Sequence, residues 1–354
     1  MKVELFNYTL PPELIAQFPT RRRDRSRVMV LDRNSGATSI HPFRHILDHL
    51  SKRDALVINT TRVFKARLLG RRATGAKVEV FLVRRIQTDQ KHNENRDNVP
   101  VPWEAMVNPS RRVKEGEWIL FDSMRVLLNK DLGGGRWEVV FESRWQCEHI
   151  IGRYGHVPLP HYIRREDQPA DIRRYQTVFA DKHRVGAVAA PTAGFHFTRP
   201  LLREIRDKGV TVVEVCLHVG PGTFKPVRAD DIEGHTVDPE FAELTPQAAA
   251  TLNDVRSNNG SIFAVGTTSV RTLESAPITN GEIQPFAGMV DLYIRPGFTF
   301  KVVDRLITNF HLPRSSLLIL ASAFAGRERI LAAYREAVSA RMRFYSYGDA
   351  MLIL

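Results

Sequence analysis

Three histidines stand where a proton could be moved. His196 lies in PTAGFHFT (191–198), His218 in LHVGPGTF (217–224) and His311 in ITNFHLP (307–313), each beside a turn-forming Gly or Pro. An imidazole titrates near ~6.5, so it can act as acid or base at neutral pH when held against a substrate. Along VTVVEVCLHVG (210–220), Val213, Val215, Leu217 and Val219 share one face by the two-residue period of a strand. His218 falls on the other face with Glu214 and Cys216, directly before the turn Gly220-Pro221-Gly222-Thr223-Phe224. If that strand is parallel to its neighbours, the turn lies at the carboxyl edge, where open α/β sheets bind ligands. The alternative for His218 is a hydrogen-bonded structural histidine. For His196 it is an imidazole wedged between Phe195 and Phe197.

Strand SIFAVG (261–266) runs into Thr267 and Thr268 and then a helix, offering N–H groups and hydroxyls at a positive helix end. A carboxylate or phosphate suits such a place, with Arg271 one turn further on. Ordinary threonine capping and an Arg271–Glu274 surface pair are the plainer reading. Asn309 precedes another buried helix in the same manner. His41, His45 and His49 are four apart, yet the apolar stripe Phe43, Ile46, Leu47 and Leu50 turns His45 and His49 toward water, and no metal site is expected there. Cys147 and Cys216 stand alone without CxxC spacing, which argues against a disulfide framework and a cysteine zinc site. No Walker A or GxGxxG string occurs.

Lys and Arg number 51 against 39 Asp and Glu, a net charge of +12 that favours a polyanionic partner. Basic pairs with an aromatic nearby, Arg164-Arg165 after Tyr162 and Arg173-Arg174 before Tyr175, suit phosphate contacts with base stacking. Taken singly, each is better read as a solvated face.

These groups must be positioned by folded elements, and 354 residues predict two domains. KVEVFLVRRI (77–86), WEAMV (103–107), WILFDS (118–123), MRVLL (124–128) and RWEVVFES (136–143) read as short strands of an all-β module. TDQKHNENRDNVP (88–100) interrupts it as a polar, mobile loop. Beyond residue 184, strands VGAVAA (185–190), 210–220 and 261–266 alternate with helices begun by Thr198 and Thr245-Pro246, a pattern that argues a mostly parallel sheet. The expected fold is therefore an α/β domain, residues 1–67 and 155–354, interrupted by a small β-barrel domain at 68–154. The longest apolar run, Leu317 to Ala325, is shorter than the ~20 residues that a membrane span requires.

Several longer strings in order resemble the tRNA ribosyltransferase-isomerase family of queuosine biosynthesis. They are FNYTLPPELIAQFP (6–19), RYQTVFA (174–180), AAPTAGFHFT (189–198), LHVGPGTFKPV (217–227), VGTTSVRTLES (265–275), LITNFHLP (306–313) and SYGDAMLI (346–353). The chain departs from that family's pattern at Thr60, His161, Pro221 and Asp238. The resemblance implies an α/β domain carrying an inserted β-barrel, with the site near their junction. It also implies transfer and isomerisation of the ribosyl part of S-adenosylmethionine onto 7-aminomethyl-7-deazaguanine at the wobble position of a tRNA with a queuosine-type anticodon. Epoxyqueuosine-tRNA, adenine and methionine would result, with the donor consumed as a substrate, no cofactor and no metal. On that chemistry His196, His218 and His311 are the proton-transfer candidates. Thr223, Thr267, Thr268, Arg271 and Asn309 are the donor-binding candidates, and Arg62, Arg164, Arg165, Arg173, Arg174, Tyr175 and Gln176 the RNA-binding ones. A monomer in the cytoplasm, without membrane attachment, is expected. The rival functions are an S-adenosylmethionine-dependent RNA methyltransferase and a non-catalytic RNA-binding protein.

Overall fold

The structure, a computed structural model, describes residues 1–86, 99–224 and 226–354. Most of the polar segment 88–100 lies outside the described residues.

All five residues of ALVIN, Ala55–Asn59, are buried. Only a central strand covered on both faces accepts such a run. Thr211–Leu217 and Ile262–Val265 flank it, both parallel to it, and Arg305–Asn309 adds in parallel beyond Ile262–Val265. These four strands are the parallel centre expected from the strand–helix alternation. Around it the sheet is mixed, with nine strands among the described residues. Glu240–Leu244 and Phe286–Val290 extend one side in antiparallel steps. On the other, Ala350–Ile353 enters antiparallel to Arg305–Asn309, pairs in parallel with Arg27–Leu31, and Thr38–Pro42 closes the edge.

The helices that cover the sheet begin where capping chemistry predicts. Thr198, Thr245 and Ser315 each accept the N–H three residues on, opening Arg199–Asp207, Pro246–Ser257 and Ser316–Ala325. Thr267–Ser275 is buried from Thr267 to Leu273 and crosses the middle of the sheet. Phe43–His49 forms a 3-10 helix with Phe43 and Ile46 inward. Its flanking imidazoles stack on one another, His41 on His45 at 3.8 Å. Among the described residues no group of three or more His, Cys, Asp or Glu is arranged to hold a metal ion.

The second unit is a closed six-stranded antiparallel barrel. Arg67–Arg71, Lys77–Arg85, Val101–Asn108, Arg136–Phe141, Met124–Gly133 and Glu117–Phe121 pair in that order, and Arg71 opposite Leu120 closes the ring. Alternation fills its interior, with Val78, Val80 and Leu82 of one strand inward against Trp137 and Phe141. Gly70 is needed at the closure, since a Cβ there would come within 2.5 Å of Ile119 Cγ2. Arg136 ties the barrel to the α/β unit, donating to Glu104 at 2.5 Å and to Asp238 at 2.7 Å.

Candidate active site

The parallel strands end together, and their carboxyl edge holds three adjoining cavities. The first, about 60 Å³, is lined by Gly266, Thr267, Thr268, Asn309 and His311 with Thr223 opposite. The second, about 120 Å³, is lined by His235, Asp238, Glu240, Arg271 and Tyr293, and shares Thr223 and Leu317 with the first. The third, about 1120 Å³, opens between the two units, with Trp103, Arg84 and Arg144 from the barrel side and His218, Phe241 and Met289 facing them. It shares Val219 with the first cavity and Glu240 with the second. The turn from Val219 to Thr223 is thus their common wall.

The three predicted histidines occupy three different settings. His218 is half-buried on the large cavity, as the alternation of its strand implies, with Nδ1 2.8 Å from the Thr61 hydroxyl and its ring stacked on Phe241 at 5.7 Å. Burial lowers its pKa below the ordinary histidine value. A neutral imidazole at pH 7 can accept a proton. His311 lines the first cavity with Nε2 2.8 Å from the Thr308 hydroxyl, and burial pushes its pKa down to about 3.

His196 lines none of the three cavities and lies behind Asn309. Asn309 Oδ1 accepts from the Thr192 hydroxyl at 2.9 Å and its Nδ2 donates to the Tyr345 carbonyl at 3.2 Å, which fixes the amide. The same Nδ2 is 3.2 Å from His196 Nε2. An amide nitrogen only donates, so Nε2 is the acceptor and the ring proton is on Nδ1. Nδ1 then donates to the Ser26 hydroxyl at 2.7 Å, which in turn donates to the Arg23 carbonyl at 3.1 Å. Burial, with Arg23 and Arg343 nearby, pushes the His196 pKa down to about 3. In this setting the imidazole holds Asn309.

Arg271 does not face the first cavity. Its guanidinium donates to the Glu240 carboxylate, to the Leu292 carbonyl at 3.1 Å and to the Val290 carbonyl at 3.2 Å. Glu240 accepts in turn from the Gly220 N–H at 2.6 Å, so the pair braces the shared turn. Glu274, the alternative partner, instead takes the N–H groups of Lys301, Val302 and Val303 at 2.8 to 3.0 Å.

The RNA-binding candidates divide. Arg164 and Arg173 are exposed cations, and Arg62 is half-buried on the short strand Arg62–Val63. Arg165 grips Asp171 through two bonds of 2.7 and 2.9 Å and lies over Phe18. Arg174 donates to the carbonyls of Thr20 and Arg21. The one-turn helix Asp171–Arg174 delivers Tyr175 into the core against Phe195 and Tyr347, leaving no face for a base. Gln176 bonds both the N–H and the carbonyl of Val63.

Sequence reasoning missed His235 and Tyr293, whose rings meet edge to face at 5.1 Å in the second cavity. They are 58 positions apart without a shared periodicity, so only the fold pairs them. Thr61, the partner of His218, is 157 positions from it, and again only the fold brings the two together.

A family model described as queuosine biosynthesis protein matches residues 3–353. Relatives named S-adenosylmethionine:tRNA ribosyltransferase-isomerase include one from Moorella thermoacetica, 47% identical over 360 residues, and one from Desulforamulus reducens, 44% identical over 359, each covering 100% of both chains. A crystal structure of S-adenosylmethionine tRNA ribosyltransferase from Thermotoga maritima is 34% identical, covers 99% of this chain and 100% of that one, and has a TM-score of 0.54.

Proposed function

Because the chain belongs to the queuosine biosynthesis protein family, whose full-length relatives are ribosyltransferase-isomerases, we propose that it is the enzyme moving the S-adenosylmethionine ribosyl group onto 7-aminomethyl-7-deazaguanine in a queuosine-type tRNA. Epoxyqueuosine-tRNA, adenine and methionine leave. The donor is a substrate, and the reaction as written calls on no further cofactor. The acting unit is the α/β domain, 1–67 with 155–354, carrying the barrel, 68–154, as a monomer in the cytoplasm.

The observation that supports this reading best is the arrangement of cavities around one turn. Two small ones, joined at Thr223, suit an extended donor, and the large one between the units suits an RNA base brought in from solution. The sulfonium makes the ribose C5′ hydrogens acidic. Removing one gives an ylide whose collapse opens the ring and expels adenine, leaving a vinyl sulfonium. The RNA amine adds to it at C4′, the C5′ carbanion so formed closes the ring on the C1′ aldehyde that adenine left behind, and the resulting alkoxide displaces methionine to give the epoxide. His218, neutral and on the RNA side of the turn, takes the C5′ proton. His311 serves the first cavity, and His196 positions Asn309. The exposed Arg164 and Arg173 meet phosphates.

Incubating enzyme, donor and tRNA bearing the deazaguanine amine tests this reading by chromatography of the small products. Adenine and methionine in equal amounts are expected. S-adenosylhomocysteine would mark a methyltransferase and contradict it.

A further inference from the structure

Helix Thr267–Ser275 starts on Gly266, at φ +87°, and no side chain caps its first turn. Its leading N–H groups carry the positive end of the helix and need an acceptor. Further along, the hydroxyls of Ser269 and Thr272 turn back onto the carbonyls of Val265 and Thr268 at 2.8 and 3.0 Å. Thr268 differs. The residue is only 7% exposed, lines the first cavity, and its Oγ1 is buried with no hydrogen-bond partner. Such a hydroxyl is destabilising unless something outside the fold satisfies it. Gly266 leaves room for that something, since a Cβ there would stand 3.6 Å from Thr268 Oγ1.

Size and charge narrow the ligand. About 60 Å³ admits roughly four to six water-sized groups, the bulk of an α-amino-acid head. The described residues lining it include no Lys, Arg, Asp or Glu. A phosphate would find no counter-cation. A zwitterion brings its own, and needs a donor cluster for the carboxylate and acceptors for the ammonium. Asn309 Oδ1, already taking the Thr192 hydroxyl at 2.9 Å, keeps a second lone pair for the latter.

We infer that the first cavity is the subsite for the α-amino-acid head of the donor, with its carboxylate on the Thr267–Thr268 helix end and accepting from the Thr268 hydroxyl. The assignment rests on the reaction proposed above, and it gives the carboxylate role to Thr268 in place of Arg271.

Calorimetric binding of S-adenosylmethionine and of its decarboxylated analogue to the wild type, Thr268→Val and Thr268→Ser tests it without RNA. Thr268→Val is expected to weaken the intact donor about ten- to hundredfold, to leave the decarboxylated analogue unchanged, and to hold or raise Tm because an unpaired buried hydroxyl is gone. Thr268→Ser should bind the intact donor like the wild type. Equal weakening of both ligands by Thr268→Val, or weakening of neither, overturns the subsite. The reaction itself is judged separately, by transfer of ribose label to RNA by the wild type, so either reading can fail alone.

Discussion

Asn309 donates its side-chain amide to His196 Nε2 across 3.2 Å, and this one bond sets the tautomer of a buried imidazole. The same burial makes the fold sensitive to acid. The unfolded chain takes up protons on His196 and His311 as pH falls through ~6.5, whereas in the folded protein both stay neutral until about pH 3. Their contribution is complete above pH ~6.5 and is lost progressively on acidification toward about 3, on the order of several kcal/mol in all.

Urea unfolding between pH 7 and 4 should therefore show stability falling with pH. His196→Gln, less stable than the wild type at pH 7, should fall about one proton less steeply. An identical pH slope in the variant would contradict the account of His196 as a buried neutral group.

Arg271 yields the opposite expectation from a ligand-binding arginine. Removing it strands the Glu240 carboxylate in the interior, so Arg271→Ala should cost about 3–5 kcal/mol by urea unfolding, with the double change Arg271→Met, Glu240→Leu recovering part of it. A normal unfolding midpoint combined with a raised KM for the donor would restore the ligand role.

For His218, Thr61 orients the ring without burying it completely. His218→Gln should lower kcat about 10²- to 10⁴-fold with Tm nearly unchanged. His196→Gln should lose far less turnover in its folded fraction. Near-normal kcat in His218→Gln, together with a lower Tm, would make it a structural histidine.

On the surface, replacing Arg164 and Arg173 by Ala should weaken tRNA binding and reduce the slope of log K against log salt by about one for each phosphate that is no longer neutralised. Arg165→Ala should instead lower Tm, because it strips the buried Asp171 of its partner. Unchanged salt dependence after removal of Arg164 and Arg173 would place the RNA elsewhere.

Features governed by near neighbours in the chain were legible from sequence. The two-residue period assigned His218 its face, and Thr198 and Thr245 announced their helices, because each depends on interactions within one element. Partners brought together by the fold were not. Arg271 meets a carboxylate 31 positions away, and Tyr175 looks like an accessible aromatic until a single helical turn buries it. Ala350–Ile353, inserted antiparallel to one distant strand and parallel to another, obeys no local rule at all.

The most direct measurement follows two labels of one donor. S-adenosylmethionine carrying one isotope in its ribose carbons and another in its methyl group is given to the enzyme with tRNA bearing the deazaguanine amine. The ribose label should appear in the RNA, and the methyl label should leave with methionine. Methyl label retained on the RNA, with ribose label released as a nucleoside, would contradict ribosyl transfer outright.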